Sequence, residues 1–174
     1  MDHLVRLAGR PGERPADRGT LAALRAWSRS GSQHLAYAPL ADLFNRSGIG
    51  ADRLDDPIWT AIPTLFAWHR HHDPSVGGGI GVTLRKVAGD HMESFEAHFR
   101  RLLACDGIHE LIDVLPRYVR RAESAGVPIN FVVLYWDLRR WSQSQESARD
   151  VKVRWARDYF TEFAANNESG AEAE

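Results

Sequence analysis

Cysteine is nearly absent from this chain: Cys105 is the single one in 174 residues. That excludes an internal disulfide framework and suits a reducing, cytoplasmic setting. Lysine is almost as scarce. Lys86 and Lys152 stand alone, so 20 of the 22 basic residues are arginine, which favours forked, stacking contacts to phosphates and bases over point-charge contacts. No apolar run approaches the roughly 20 residues needed to cross a bilayer. The stretch from Met1 to Arg18 is polar and rich in Arg, Gly and Pro, without the apolar core of a secretory signal. Strand-like alternation with hairpin signals is missing, and so is any internal repeat. With 44% hydrophobic and 26% charged residues, the chain has enough apolar material for one domain or two small ones.

What is present is helical periodicity with clear punctuation. Residues 1–16 read as a flexible arm. Asp17 is placed to cap a helix over about Gly19–Arg29, with Leu21, Leu24 and Trp27 on one face, and Gly31 ends it. A second helix is expected over Leu35–Phe44, followed by a loop from Asn45 to Asp55. Asp56-Pro57 pairs a capping acid with proline at the first helical position and opens a helix toward His72, with Pro63 as a possible bend. Gly77-Gly78-Gly79-Ile80-Gly81 reads as a mobile hinge. Asp90 and Glu93 suggest a capping box for a helix to Ala104, with Phe95, Phe99 and Leu102 inward. Gly107 separates it from a helix over Ile108–Ala125 that buries Leu111, Leu115, Tyr118 and Val119. Asn130 opens a largely apolar helix to Trp141. A last helix over Gln145–Phe163 turns Val151, Trp155 and Tyr159 inward. The expected fold is all-α: two small packed helical bundles, residues 1–76 and 77–165, joined by the glycine-rich segment. An acidic tail over 166–174 is expected to be disordered.

The charge is unevenly spread. The net charge is −1, yet Arg85 to Arg157 carries 13 Lys/Arg against 10 Asp/Glu, while Asp158 to Glu174 carries five acids and no base. At 100° per residue, Arg117, Arg120 and Arg121 fall opposite the apolar stripe of their helix. Arg101 lies opposite Phe99 and Leu103. Arg140 faces away from Leu134 and Leu138, and Arg154 and Arg157 lie off the Val151/Trp155 stripe. Arg85 and Lys86 follow the glycine run. One reading is a solvated face whose arginines pair locally with Glu110, Asp113 and Glu123, each pair worth only about 0.2–0.5 kcal/mol. The other is a surface for a polyanion, above all a nucleic-acid backbone.

Other chemistries have thinner support. The glycine run lacks the Gly-Lys-Ser/Thr ending of a phosphate loop, and no strand precedes it. His69, His71, His72 and Asp73 crowd a helix end without a second cluster at metal spacing. Cys105 reads as a core thiol. Trp136, Trp141 and Trp155 read as core residues at helical spacing. The expectation is therefore no enzyme, no metal and no cofactor. Two rivals stay open: a helical protein–protein adaptor using the Val132/Val133/Trp136 surface, and an enzyme built on His69–Asp73.

Several segments, in order, resemble a known family. They are Gly79-Ile80-Gly81-Val82-Thr83-Leu84-Arg85, Phe99-Arg100-Arg101-Leu102-Leu103-Ala104, Leu115 to Arg121, Val127-Pro128-Ile129-Asn130, Trp136-Asp137-Leu138 and Arg154 to Phe160. Together they resemble the CasB family, the small subunit of the type I-E CRISPR Cascade complex. Leu21 to Trp27 resembles that family's first helix, although the family often has a basic residue where Ala26 stands here. The resemblance implies an all-helical, non-catalytic, cytoplasmic subunit. It implies two copies associating as a dimer beside other Cascade subunits, in contact with crRNA, target DNA and the displaced strand, and no membrane. The residues expected to hold nucleic acid are Arg85, Lys86, Arg101, Arg117, Arg120, Arg121, Arg140, Arg154 and Arg157.

Overall fold

A computed structural model describes residues 1–9, 16–29 and 31–160. The expected acidic tail over 166–174 and the last residues of the final helix lie outside the described residues. Among those described, the α-helices are α1 Asp2–Ala8, α2 Arg18–Ala26, α3 Tyr37–Arg46, α4 Pro57–Trp68, α5 Ile80–Ala88, α6 Met92–Leu103, α7 Ile108–Ser124, α8 Phe131–Trp141 and α9 Gln145–Phe160. Short 3-10 turns cover Gln33–Leu35, Ala51–Asp55 and Gly89–His91. Sheet-like pairing among the described residues is limited to one isolated parallel bridge between His72 and Ile129. The fold is all-α, a helical bundle, as the periodicity predicts. No helix among the described residues is long and apolar enough to cross a membrane.

Three sequence-predicted caps form. The Asp17 carboxylate accepts from the Thr20 N–H at 3.0 Å and the Thr20 hydroxyl at 2.8 Å, and these bonds hold its pKa below the usual carboxylate value. Asp56 accepts from the Ile58 N–H at 2.9 Å with Pro57 in the first helical turn. Asn130 Oδ1 accepts from both Val132 and Val133 N–H at 3.2 Å. Each satisfies an N–H that the helix start would otherwise leave open.

Helix α4 runs through the middle of the molecule. It packs against α2 on one side and against α7 and α8 on the other. It is buried on nearly every side from Ile58 to Ala67 and continues through Pro63. The buried residues form one continuous cluster reaching from Leu4 in α1 to Tyr159 in α9. Phe99 and Tyr159 stack within it, ring centroids 4.0 Å apart. Cys105 is buried there too, and burial pushes its thiol pKa up.

Four expectations are corrected. Residues 2–8 are a helix rather than an arm, because Leu4 reaches the core and Met1, Val5 and Leu7 pack against it. The Asp90/Glu93 capping box does not form: the 3-10 turn Gly89–His91 runs straight into α6, so His91 occupies the cap position and Asp90 lies within the turn. Trp136 is 59% exposed, whereas Trp141 and Trp155 are core. Finally, the glycine run is a packed seam rather than a mobile hinge. The Gly79 N–H donates to the Asp158 carboxylate at 2.8 Å, placing an acid from α9 at the N-terminus of α5, where the helix dipole favours it. A Cβ on Gly79 would meet the Trp155 ring at 2.6 Å, and one on Gly81 would strike the Trp155 carbonyl oxygen. These glycines serve close approach.

Candidate nucleic-acid interface

The long α7 is amphipathic over its whole length, and Leu111, Leu115, Tyr118, Val119 and Ala122 fill its inward face. That leaves Arg117, Arg120 and Arg121 exposed, as Arg101 is on α6. Arg101, Arg117 and Arg121 are exposed on the contacting helices α6 and α7. The Tyr118 hydroxyl donates to the His98 carbonyl at 2.6 Å. Burial raises the Tyr118 pKa, while Arg121, Arg101 and Arg117 all act on that hydroxyl in the opposite sense. The Arg121 guanidinium also lies 5.3 Å from the Phe95 ring centroid, with one nitrogen 3.4 Å from His98 Nε2.

The local ion pairs that would make this face inert are missing. Among the described residues the pairs are Arg46–Asp42, Arg53–Asp52, Arg100–Glu96, Arg139–Asp56 and Arg154–Asp137. None involves Arg101, Arg117, Arg120 or Arg121, and none involves Asp113 or Glu123. Glu110 instead accepts from the Asp106 N–H at 2.9 Å, at the start of α7. The acids thus lie along the helix without meeting its arginines.

The other predicted residues are placed differently. Lys86, Arg140 and Arg157 are exposed on α5, α8 and α9. Arg85 is half-buried, with one terminal nitrogen enclosed and without a hydrogen-bond partner among the described residues. Arg154 is committed inside the protein. It forms an ion pair with Asp137, whose side chain is 1% exposed, while the Trp155 indole N–H donates to the other Asp137 oxygen at 2.6 Å. Burial pushes the Asp137 pKa up, against the pull of Trp155 and Arg154. A helical wheel of α9 turns Arg154 off the apolar stripe but says nothing of the carboxylate that α8 delivers to it.

Sequence reasoning also missed a basic cluster. Arg120 stands 4.9 Å from the centroid of the Trp68 ring, and Arg25 from α2 and Arg29 from the turn that follows α2 stand 5.6 and 5.7 Å from it. The Arg25 Nε donates to the Ala67 carbonyl at 2.7 Å, capping the end of α4. No local pattern signals this meeting, because Arg29 lies past the end of α2 and Arg120 comes from α7.

His69, His72 and Asp73 of the histidine segment make contacts within the fold. His69 is buried, with Nε2 2.7 Å from the Val127 carbonyl oxygen. The Phe131 N–H donates to His72 Nδ1 at 3.3 Å. The Asp73 carboxylate accepts from the Ser75 hydroxyl and N–H at 2.6 and 2.8 Å, which lowers its pKa. No group of three or more potential metal-ligating side chains occurs among the described residues. On α8, Trp136 and Val132 are exposed, and Tyr135 bridges Trp136 to Trp59 at centroid distances of 5.1 and 4.9 Å.

No curated protein and no solved structure matches the chain. A family does: CRISPR-associated protein Cse2 matches residues 20–160, from the first turn of α2 to the last described residue of α9. The matched range takes in the exposed arginines of α6 and α7, the Trp68 cluster and the α5–α9 seam. This chain belongs to the Cse2 family, the small subunit of type I-E CRISPR Cascade, also called CasB, and so is a Cascade subunit that associates with other subunits of that complex.

Proposed function

We propose that the chain is a non-catalytic, cytoplasmic nucleic-acid-binding subunit of the RNA-guided complex. Two copies would associate as a dimer and steady crRNA, target DNA and the displaced strand of the R-loop. The observation that carries this reading is the exposure of Arg101, Arg117 and Arg121 on the contacting helices α6 and α7, with no acidic partner among the described residues. Arg120 continues that surface along α7, and Lys86, Arg140 and Arg157 add exposed charge on neighbouring helices. Exchanging a DNA duplex for a guide–target duplex is nearly balanced in free energy. A few sequence-blind phosphate contacts are then enough to decide how long the open state persists. Base pairing reads the sequence, so the subunit needs charge in the right place and no base-reading motif.

The test replaces Arg117 and Arg121 together with alanine in an assembled complex. Both side chains are exposed, so the melting temperature should stay close to that of the unmodified protein. R-loop lifetime should shorten, while guide–target pairing, set by complementarity, changes less. A folded double variant with an unaltered R-loop lifetime refutes the placement of the surface. The exposed Trp136 favours a second reading, a protein-docking adaptor. Under that reading Trp136→Ser releases the subunit from the complex while leaving nucleic-acid affinity intact.

A further inference from the structure

The Trp68 cluster has a geometry that local structure does not account for. Three guanidinium groups, from α2, from the turn after it and from α7, converge on the last residue of α4, all within 5.7 Å of one ring centroid. No two of them can be further apart than the sum of their distances to that ring. None forms an ion pair with an acid among the described residues. One of the three has a structural task, since Arg25 caps the Ala67 carbonyl and complements the negative end of the α4 dipole. Arg29 and Arg120 have no such task. Both are exposed, and the only side-chain hydrogen bond of Arg120 among the described residues goes to the Pro116 carbonyl on its own helix, at 3.2 Å. Like charges held this close repel, and the indole face offsets only part of that repulsion.

We infer that Trp68 with Arg25, Arg29 and Arg120 forms a clamp for the phosphodiester backbone of one strand of nucleic acid, at the end of the arginine-bearing face of α7. The inference rests on the nucleic-acid reading above and specifies where, and in what form, the strand is held. Arginine's planar fork grips phosphate oxygens two at a time, and the indole holds the forks in one place beforehand. A duplex presents its phosphates as two rows across grooves roughly 6–12 Å wide. A cluster gathered round a single ring meets only one row, which suits an unpaired strand. The Trp68 N–H is engaged with the Ser28 hydroxyl at 3.3 Å, so the ring keeps its place when the guanidiniums turn toward a phosphate. Its emission should report that turn.

The experiment uses the full chain, a labelled 20-nucleotide oligothymidine and a 20-base-pair duplex, with anisotropy titrations across a range of salt. Each single-strand phosphate contact adds about 0.7 to the slope of log affinity against log salt. Arg29→Gln/Arg120→Gln should therefore lower the oligothymidine slope by about 1.4, and either single change by about half as much. Melting temperature and the duplex slope should change little. Oligothymidine should alter the emission of the unmodified protein but not that of Trp68→Phe. Should the double variant lose its helical circular dichroism, Arg29→Gln alone carries the comparison, since that side chain makes no hydrogen bond among the described residues. If the unmodified protein binds neither probe, the nucleic-acid reading itself fails and takes the clamp with it. If it binds, and Arg117→Gln/Arg121→Gln weakens binding while Arg29→Gln/Arg120→Gln leaves the slope unchanged, the clamp alone is overturned. A glutamate-rich peptide that shifts Trp68 emission where oligothymidine does not would make the site a protein-docking point and equally overturn it.

Discussion

Replacing Asp137 with alanine should be the most damaging polar-to-apolar change between α8 and α9. The carboxylate is 1% exposed and serves two donors, the Arg154 guanidinium and the Trp155 indole N–H. Its removal leaves both without an acceptor in a dry site. Breaking a buried ion pair from one side costs about 3–5 kcal/mol. Arg154 keeps a third of its side chain in solvent and can partly rehydrate, so its share falls toward the lower end. The stranded indole N–H adds about 1–3 kcal/mol. A total of about 4 kcal/mol corresponds to a fall in melting temperature of roughly 8–16 °C for a chain of this size. The reciprocal change, Arg154→Ala, should cost less and carry a pH signature. There the carboxylate keeps only the indole, and burial raises its folded-state pKa further above the usual value of 3.8. A raised carboxyl pKa gives stability that is present below the unfolded value and lost as pH rises through the folded one. The deficit of Arg154→Ala should therefore widen from pH 4 upward. Urea denaturation followed by circular dichroism at several pH values measures both. An Asp137→Ala protein within about 0.5 kcal/mol of the unmodified one, the range of ordinary surface substitutions, would refute this account of the network.

Three further outcomes are expected. Gly81→Ala drives a methyl into the Trp155 carbonyl and should destabilise by about 1–3 kcal/mol through overpacking, whereas a flexible hinge would tolerate it; thermal melting distinguishes the two. Stability should decline as pH falls below about 6.5, the ordinary histidine value, because burial holds the His69 pKa down and the unfolded chain takes up the proton first; His69→Gln should flatten that part of the curve, and an unchanged slope would exclude His69 as its source. Asp17→Ala removes the cap on α2 and should cost about 1 kcal/mol by chemical denaturation.

Features set by neighbours in sequence were legible, and features set by neighbours in space were not. The caps at Asp17, Asp56 and Asn130 and the stripe of α7 follow from residues within a turn or two. Helix α1 escaped notice because seven residues are too few for a periodic signal, and its stability comes from packing rather than propensity. The glycine run states a permission, and only Trp155, far along the chain, decides that it is used for contact. Among the candidate residues, Arg101, Arg117 and Arg121 point outward as a helical wheel requires. Arg154 departs from its wheel because the buried acid on α8 outweighs exposure. Trp68 gathers arginines from α2 and α7, a meeting that no local pattern encodes.

The bond from the Gly79 N–H to Asp158 spans 79 positions of chain, and this orders events on the ribosome. When α5 emerges, the acid that settles its N-terminus and the Trp155 ring that covers it have not been made. At about 5–20 residues per second the wait is about 4–16 s, during which Ile80, Leu84 and Phe99 have no α9 to lie against. Helices α2 and α7 can gather on α4 meanwhile, but the face of α5 that α9 covers closes only when α9 arrives. A nascent chain stopped within α9 would expose that apolar seam, so translation through this helix is the point at which the subunit becomes either a folded partner for assembly or a substrate for quality control.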